Sequence, residues 1–200
     1  MIRIALIRPG STAFDEEGRI KGCLDIPLSE GGRQQARQVA SELATQIGFA
    51  TNQPPLAAVY AAPCQSAQAT AEIIADVCRA RLRTVDCMVN VNHGLWQGKL
   101  IDDVRRLQPK VYRQIQDFPE AFSPPGGETL DDAQSRIRKS LSKLVKKHRN
   151  GFIALVVPDP LASLARQLLV AGELGNLWKA EKDFGSWEMI AVESDQFILV

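Results

Sequence analysis

Apolar residues follow two spacings along this chain, and the switches between them outline its elements. Ile2 to Ile7 is a short, nearly continuous apolar run that predicts a buried strand, and it leads straight into the turn-rich segment Arg8-Pro9-Gly10-Ser11-Thr12. After Ser29-Glu30-Gly31-Gly32, the residues Ala36, Val39, Ala40, Leu43 and Ile47 recur three or four apart, predicting a helix that Gly48 ends. Asn52-Gln53-Pro54-Pro55 is expected to be a loop, Leu56 to Tyr60 a second strand, and Gln65 to about Arg81 a helix carried by Ala67, Ala71, Ile74, Ala75 and Cys78. Leu82 to Val91 is expected to be a third strand.

From Leu100 to Phe122 the composition is helical, with an interruption at Pro109, and Ser123-Pro124-Pro125-Gly126-Gly127 closes the segment as a loop. Thr129 is placed to cap a helix bearing Ala133, Ile137, Leu141, Leu144 and Val145, with Asp131 and Asp132 in its first turn. Phe152 to Val157 is the most buried-looking strand; Pro158-Asp159-Pro160 stops it, a helix from Leu161 to Ala171 follows, and a last strand is expected around Met189 to Val192. Strands alternating with helices predict an α/β fold, a three-layer α/β/α sandwich on a mostly parallel sheet. The expected organisation is a single domain over residues 1–200 with a helical insertion at about 100–125. Ligands of such sheets sit at the C-terminal strand ends, here the loops Arg8–Thr12, Ala61–Ser66, Asn90–Gly98 and Pro158–Leu161.

Composition narrows the partners. The 24 basic and 23 acidic side chains give a net charge of +1, so no global field attracts nucleic acid or an anionic membrane. The densest basic group, Lys143, Lys146, Lys147, His148 and Arg149, closes a helix, where cations also suit the helix dipole. No apolar run approaches the ~20 residues of a membrane span, and the opening residues do not form a signal peptide. Cys23, Cys64, Cys78 and Cys87 lack the paired short spacings of a zinc or redox motif, which points to reduced thiols in a cytoplasmic protein with no metal and no cofactor.

The first loop resembles a known signature. Leu6-Ile7-Arg8-Pro9-Gly10-Ser11-Thr12 is similar to the Arg-His-Gly-Glu-Thr stretch of the histidine phosphatase superfamily (phosphoglycerate-mutase-like). The likeness continues through Gly18-Arg19, Lys21-Gly22, Asp25 and Pro27-Leu28-Ser29, then Tyr60 to Ala75, Gly94-Leu95-Trp96-Gln97-Gly98 and Pro125-Gly126-Gly127-Glu128-Thr129. It spans most of the chain in the family's order.

The resemblance also locates departures. The family's phosphorylated histidine falls at Pro9, which has no nucleophile. Its second histidine falls at Asp159, a carboxylate where donors are wanted. Its second arginine falls at Ser66 and its proton-donor glutamate at Asn90. No catalytic residue is then expected at Pro9, Ser66, Asn90 or Asp159, and the chain is expected to be a pseudoenzyme with a binding, regulatory or scaffolding role. Arg8 survives, and an ion pair with Asp159 is expected, because an unpaired buried guanidinium is costly. Arg8, Gly10, Ser11, Asp15, Arg19, Lys21 and His93 are the candidate vestigial anion-binding residues.

A replacement nucleophile would have to come from a cysteine, His93 or Asp159. The positions six after Cys23, Cys64, Cys78 and Cys87 are Ser29, Thr70, Thr84 and His93, so no Cys-x5-Arg phosphate loop exists. Cys64 suits a small buried hydrophobe, Asp159 lacks the metal an aspartyl phosphate would want, and His93 is the best rescue candidate although it stands where the family has a packing aromatic. The alternative reading is therefore a phosphatase or phosphoglycerate-mutase-type enzyme on a small phosphorylated substrate, with a site rearranged around Arg8 and His93. A protein partner or a small anionic ligand is expected. Oligomeric state stays open, a homodimer included. Val104, Leu107, Val111, Tyr112 and Ile115 form an apolar stripe whose first use is packing on its own domain.

Overall fold

The computed structural model describes residues 1–49, 56–180 and 183–193; the loop expected at Asn52–Pro55 lies outside these. In chain order the strands are β1 (Ile2–Ile7), β2 (Leu56–Ala61), β3 (Leu82–Thr84), β4 (Phe152–Val156) and β5 (Trp187–Val192). The helices are α1 (Ala13–Glu16), α2 (Glu30–Phe49), α3 (Gln65–Cys78), α4 (Ile101–Leu107), α5 (Pro109–Asp117), α6 (Leu130–Lys147), α7 (Leu161–Val170) and α8 (Leu177–Ala180).

The five strands form one sheet in the order β3-β2-β4-β1-β5, parallel except for β5, which runs antiparallel to β1. Strand β4 is buried at all five positions and β1 at five of six, because both lie inside the sheet with helices on each face; a continuous apolar run is what such a strand needs. The helix α2 packs on α3, which lies against β2 and β4, and α6 packs on α7, which lies against β1 and β5. This is the three-layer mixed α/β architecture expected from the alternation.

Three boundaries differ from those expectations. The helix α2 runs past Gly48 to Phe49. The helix α3 ends at Cys78, where Arg79 turns left-handed at φ 52°. The third strand stops at Thr84 rather than Val91, since its ladder partner β2 ends opposite it at Ala61; the chain then turns through a 3-10 helix at Asp86–Met88 and buries Met88, Asn90 and Val91 over the sheet end.

Pro109 does not merely interrupt the 100–125 segment. It starts α5 at the first helical position, where a missing N–H costs nothing. Val104 and Ile115 are buried and Tyr112 stacks on Trp178 at 4.8 Å, while Leu107 stays 68% exposed, so most of the stripe packs inward. Trp96, fully buried, joins Phe122 and Trp178 beneath it.

The expected caps are formed where they matter to the loops. Thr129 accepts from the Asp132 N–H at the start of α6. At α3 the N-cap residue Cys64 offers no side-chain bond, and Asp25 substitutes, accepting from the Gln65 N–H at 2.7 Å and from Gln65 Nε2 at 3.0 Å. Replacing Asp25 with alanine is expected to cost about 1 kcal/mol in urea unfolding, the value of an N-cap, and a loss below a few tenths would show that solvent caps α3 instead.

Candidate functional site

Arg8 leaves the C-terminal end of β1 and meets Asp159, which follows β4, the neighbouring strand. The Arg8 Nε donates to Asp159 Oδ2, with side-chain exposures of 11% and 5%, so the ion pair expected from the sequence is present and buried. Asp159 Oδ1 accepts from the Ser163 N–H at 3.0 Å and the Ser163 hydroxyl at 2.6 Å, at the start of α7. The carboxylate is thus engaged on both oxygens, and its charge orients Arg8 instead of standing open towards an anion.

Lys21 approaches from the loop after α1. Its Nζ lies 2.6 Å from Asp15 Oδ1 and 5.3 Å from the centre of the Phe184 ring. Asp15 also accepts from the Thr12 N–H at 2.7 Å and the Thr12 hydroxyl at 2.8 Å. Burial pushes the Asp15 carboxyl above its ordinary range, against the pull of Lys21 and Thr12. Arg8, Pro9, Lys21, Pro158, Asp159, Asp183 and Phe184 enclose a cavity of about 10 Å³, room for roughly one water.

Asp183 and Phe184 were not among the residues the sequence singled out. Strand β5 is antiparallel, with Trp187 opposite Ile7, so the residues just before it return over the end of β1. Gly185 donates its N–H to Pro9 O, and the Arg8 N–H donates to Ser186 O, both at 2.9 Å. Asp183 Oδ2 reaches within 3.6 Å of Arg8 Nε with its side chain 55% exposed, and Glu188 lies 3.9 Å from Arg8 Nη1.

The other candidates are dispersed. Gly10 is a contact of backbones: a Cβ there would stand 2.1 Å from Gly32 O, and its N–H donates to Thr70 Oγ1. Ser11 gives its N–H to Gln35 and its hydroxyl to Glu16, and its hydroxyl oxygen lies 3.1 Å from that of Ser29. Arg19 binds Gly98 O at 2.8 Å and lines a separate hollow with Asp15, Glu16 and Glu17. Ser66 is buried at the start of α3. None of these four lines the Arg8 cavity.

His93 is also elsewhere. It is 2% exposed, its Nδ1 lies 3.0 Å from Val91 O, and its ring meets Phe122 edge-on at 5.0 Å. The ring therefore sits in the packing position, against Phe122 and away from the Arg8 cavity. Asn90, by contrast, belongs to the site: its Nδ2 donates to Asp159 O at 2.8 Å and to Gly22 O at 3.1 Å.

Among the described residues no group of three His, Cys, Asp or Glu side chains is placed to hold a metal, and no helix is long and apolar enough to cross a membrane. All four cysteines are free thiols, with burial pushing the Cys23 and Cys78 thiols up.

Residues 4–200 match the family profile described as the histidine phosphatase superfamily (branch 1). Phosphoserine phosphatase 1 of Hydrogenobacter thermophilus is 26% identical over 200 residues, all of this chain and 91% of that protein. Phosphoglycerate mutase-like protein 4 of Arabidopsis thaliana is 30% identical over 155 residues, 76% of this chain and 64% of that protein, just under two thirds of its length. The solved structure of a mycobacterial glucosyl-3-phosphoglycerate phosphatase superposes with a TM-score of 0.78 at 22% identity, covering 94% and 90% of the two chains, a likeness of fold. The expectation of a pseudoenzyme is overturned: similarity along the whole chain is to a phosphatase, and nothing found favours inactivity. Asp159, at the family's second-histidine position, is held by Arg8 as expected and also by Ser163, which the sequence had not singled out.

Proposed function

Since the chain belongs to the histidine phosphatase superfamily, we propose that it hydrolyses small phosphomonoesters at the Arg8–Lys21 cavity, by a chemistry rearranged to work without a histidine at position 9. The observation that carries this reading is the convergence of two buried cations from separate loops, each 11% exposed, on one cavity at the C-terminal end of β1 and β4. Cations held in a dry site are what a phosphoryl group in flight needs around its equatorial oxygens. The names of the relatives, a phosphoserine phosphatase and a phosphoglycerate mutase-like protein, support a small phosphomonoester as the substrate class.

Arg8, oriented by Asp159, and Lys21, steadied by Asp15, bind the phosphoryl oxygens. The substrate enters as the Asp183 and Phe184 side chains swing outward, while Gly185 keeps the segment tied to Pro9. Pro9 cannot carry a phosphoryl group, so attack falls to water, and hydrolysis is favoured over mutase transfer, which needs a phosphorylated enzyme to return the group. Asp183 is the exposed carboxylate beside Arg8 and accepts the proton of that water. The water oxygen bonds to phosphorus, the phosphorus–oxygen bond to the alcohol breaks, and the alcohol takes a proton from solvent.

The test is release of inorganic phosphate from p-nitrophenyl phosphate, O-phosphoserine and 3-phosphoglycerate by the wild type and by Lys21→Met. Wild-type release is expected, with kcat/KM falling roughly 10- to 100-fold in the variant as one charge-assisted contact is lost. Asp15 keeps its bonds from the Thr12 N–H and hydroxyl in the variant, which limits the loss of stability. No release from any of the three compounds, or equal release by the variant, overturns the reading.

A further inference from the structure

The end of α6 and the edge strand β3 bring cations to one face of the sheet. Tyr60 of β2 is buried, and its hydroxyl lies 2.9 Å from His148 Nε2 and 3.1 Å from Lys147 Nζ, whose ammonium also stands 5.6 Å from the centre of the ring. Tyr60 pairs in register with Arg83 on β3. Residues side by side in a parallel ladder project to the same face, so Arg83 joins Lys147 and His148 there. Lys147 can only donate, and all three groups are satisfied when Tyr60 gives its proton to an unprotonated His148 Nε2.

The cluster gathers positive charge without its complement. Burial first, then the charges of Lys147 and Arg83, push His148 below its ordinary range, and no carboxylate offsets them. Among the described residues neither Arg83 nor Lys147 has an ion pair. The helix dipole accounts for a lysine in the last turn of α6, and charge on an edge strand deters pairing with another chain. Neither reason calls for the two sets to share a face, where like charges repel. An anion beside them removes the repulsion and suits both the fork of Arg83 and the point charge of Lys147. Both side chains are exposed, so the approach is open.

We propose that Arg83, Lys147 and His148 hold an anion of their own, a small phosphate species of two or more charges, at the β3 edge of the sheet. A monoanion would leave the cluster cationic, whereas a multiply charged one neutralises Arg83 and Lys147 together. None of these residues lines the Arg8 cavity, so the site neither needs nor excludes turnover there. An anion next to His148 stabilises its imidazolium. By reciprocity the anion is held more tightly as pH falls through the range in which His148 titrates.

The chain has two histidines, so NMR of the imidazole C–H signals reads this site directly, with His93 as the reference. With inorganic pyrophosphate the titration midpoint of His148 is expected to rise saturably by about half a unit or more, equivalent to roughly threefold tighter binding by the imidazolium form. Half-saturation is expected below about 10 mM. The control is sodium acetate at the same ionic strength, a monoanion that screens charge without bridging it. Arg83→Gln and Lys147→Met, both at exposed positions, are each expected to weaken pyrophosphate binding at least about threefold. Pyrophosphate in the Arg8 cavity does not mimic this result, since both variants leave Arg8 and Lys21 in place. A midpoint that does not rise, an equal rise with acetate, or an affinity weakened by less than that factor in either variant overturns the proposal. Should one variant not fold, the other decides.

Discussion

Arg8→Ala is expected to lower kcat/KM for phosphomonoesters by about 100-fold or more and to lower stability by roughly 3 kcal/mol. The two losses have one origin. Arg8 Nε binds Asp159, a side chain 5% exposed, so truncation takes the guanidinium away from a buried carboxylate. Breaking a buried pair costs more than forming one gains, because the survivor keeps its desolvation penalty. For a chain of this size the change corresponds to a drop of roughly 10 °C in Tm, read by calorimetry. The activity loss is larger than the loss of fold explains, and Arg8→Lys separates the two: it restores the charge but not the directed contact, so stability should recover further than turnover. An alanine variant as active as the wild type would place the chemistry elsewhere in the chain.

Asp183→Asn is the second large effect and has the opposite profile. The side chain is 55% exposed and its contact with Arg8 Nε is 3.6 Å, so stability should change by less than about 0.5 kcal/mol. As the base that accepts the proton of the attacking water, it should reduce kcat by roughly 10²- to 10⁴-fold. KM should hold or fall, since an amide beside Arg8 repels a phosphate less than a carboxylate does. Measured kcat and KM across pH give the check. A loss confined to KM would make Asp183 a binding or gating residue, and an unchanged kcat would remove the base.

Both predictions depend on residues that reach the site by different routes, and the routes explain what was legible beforehand. Arg8, Asp159 and Asn90 stand at the ends of strands or on loops whose positions follow from the alternation of strand and helix, and the likeness to a known family placed them together in advance. Opposite charges at Arg8 and Asp159, on adjacent buried strand ends, have to pair, and they do. For His93 the sequence offered both a rescue and a packing role, because it shows a histidine near a site but not which way a ring turns; in the fold the ring packs on Phe122.

Residue types and spacings determined the buried strands β1, β2 and β4, the cap at Thr129 and the mixed α/β class, because local periodicity and capping chemistry act over a few residues. The family likewise followed from motif order. Strand pairing over the whole chain was beyond that range. The strand expected from Leu82 to Val91 had enough apolar residues, but its partner ended at Ala61. Most consequentially, the last strand runs antiparallel, which returns Asp183 and Phe184 to the C-terminal end of β1 instead of the opposite end of the sheet. That direction, and with it the composition of the site, depends on contacts between residues some 180 positions apart in the chain, which only the tertiary structure brings together.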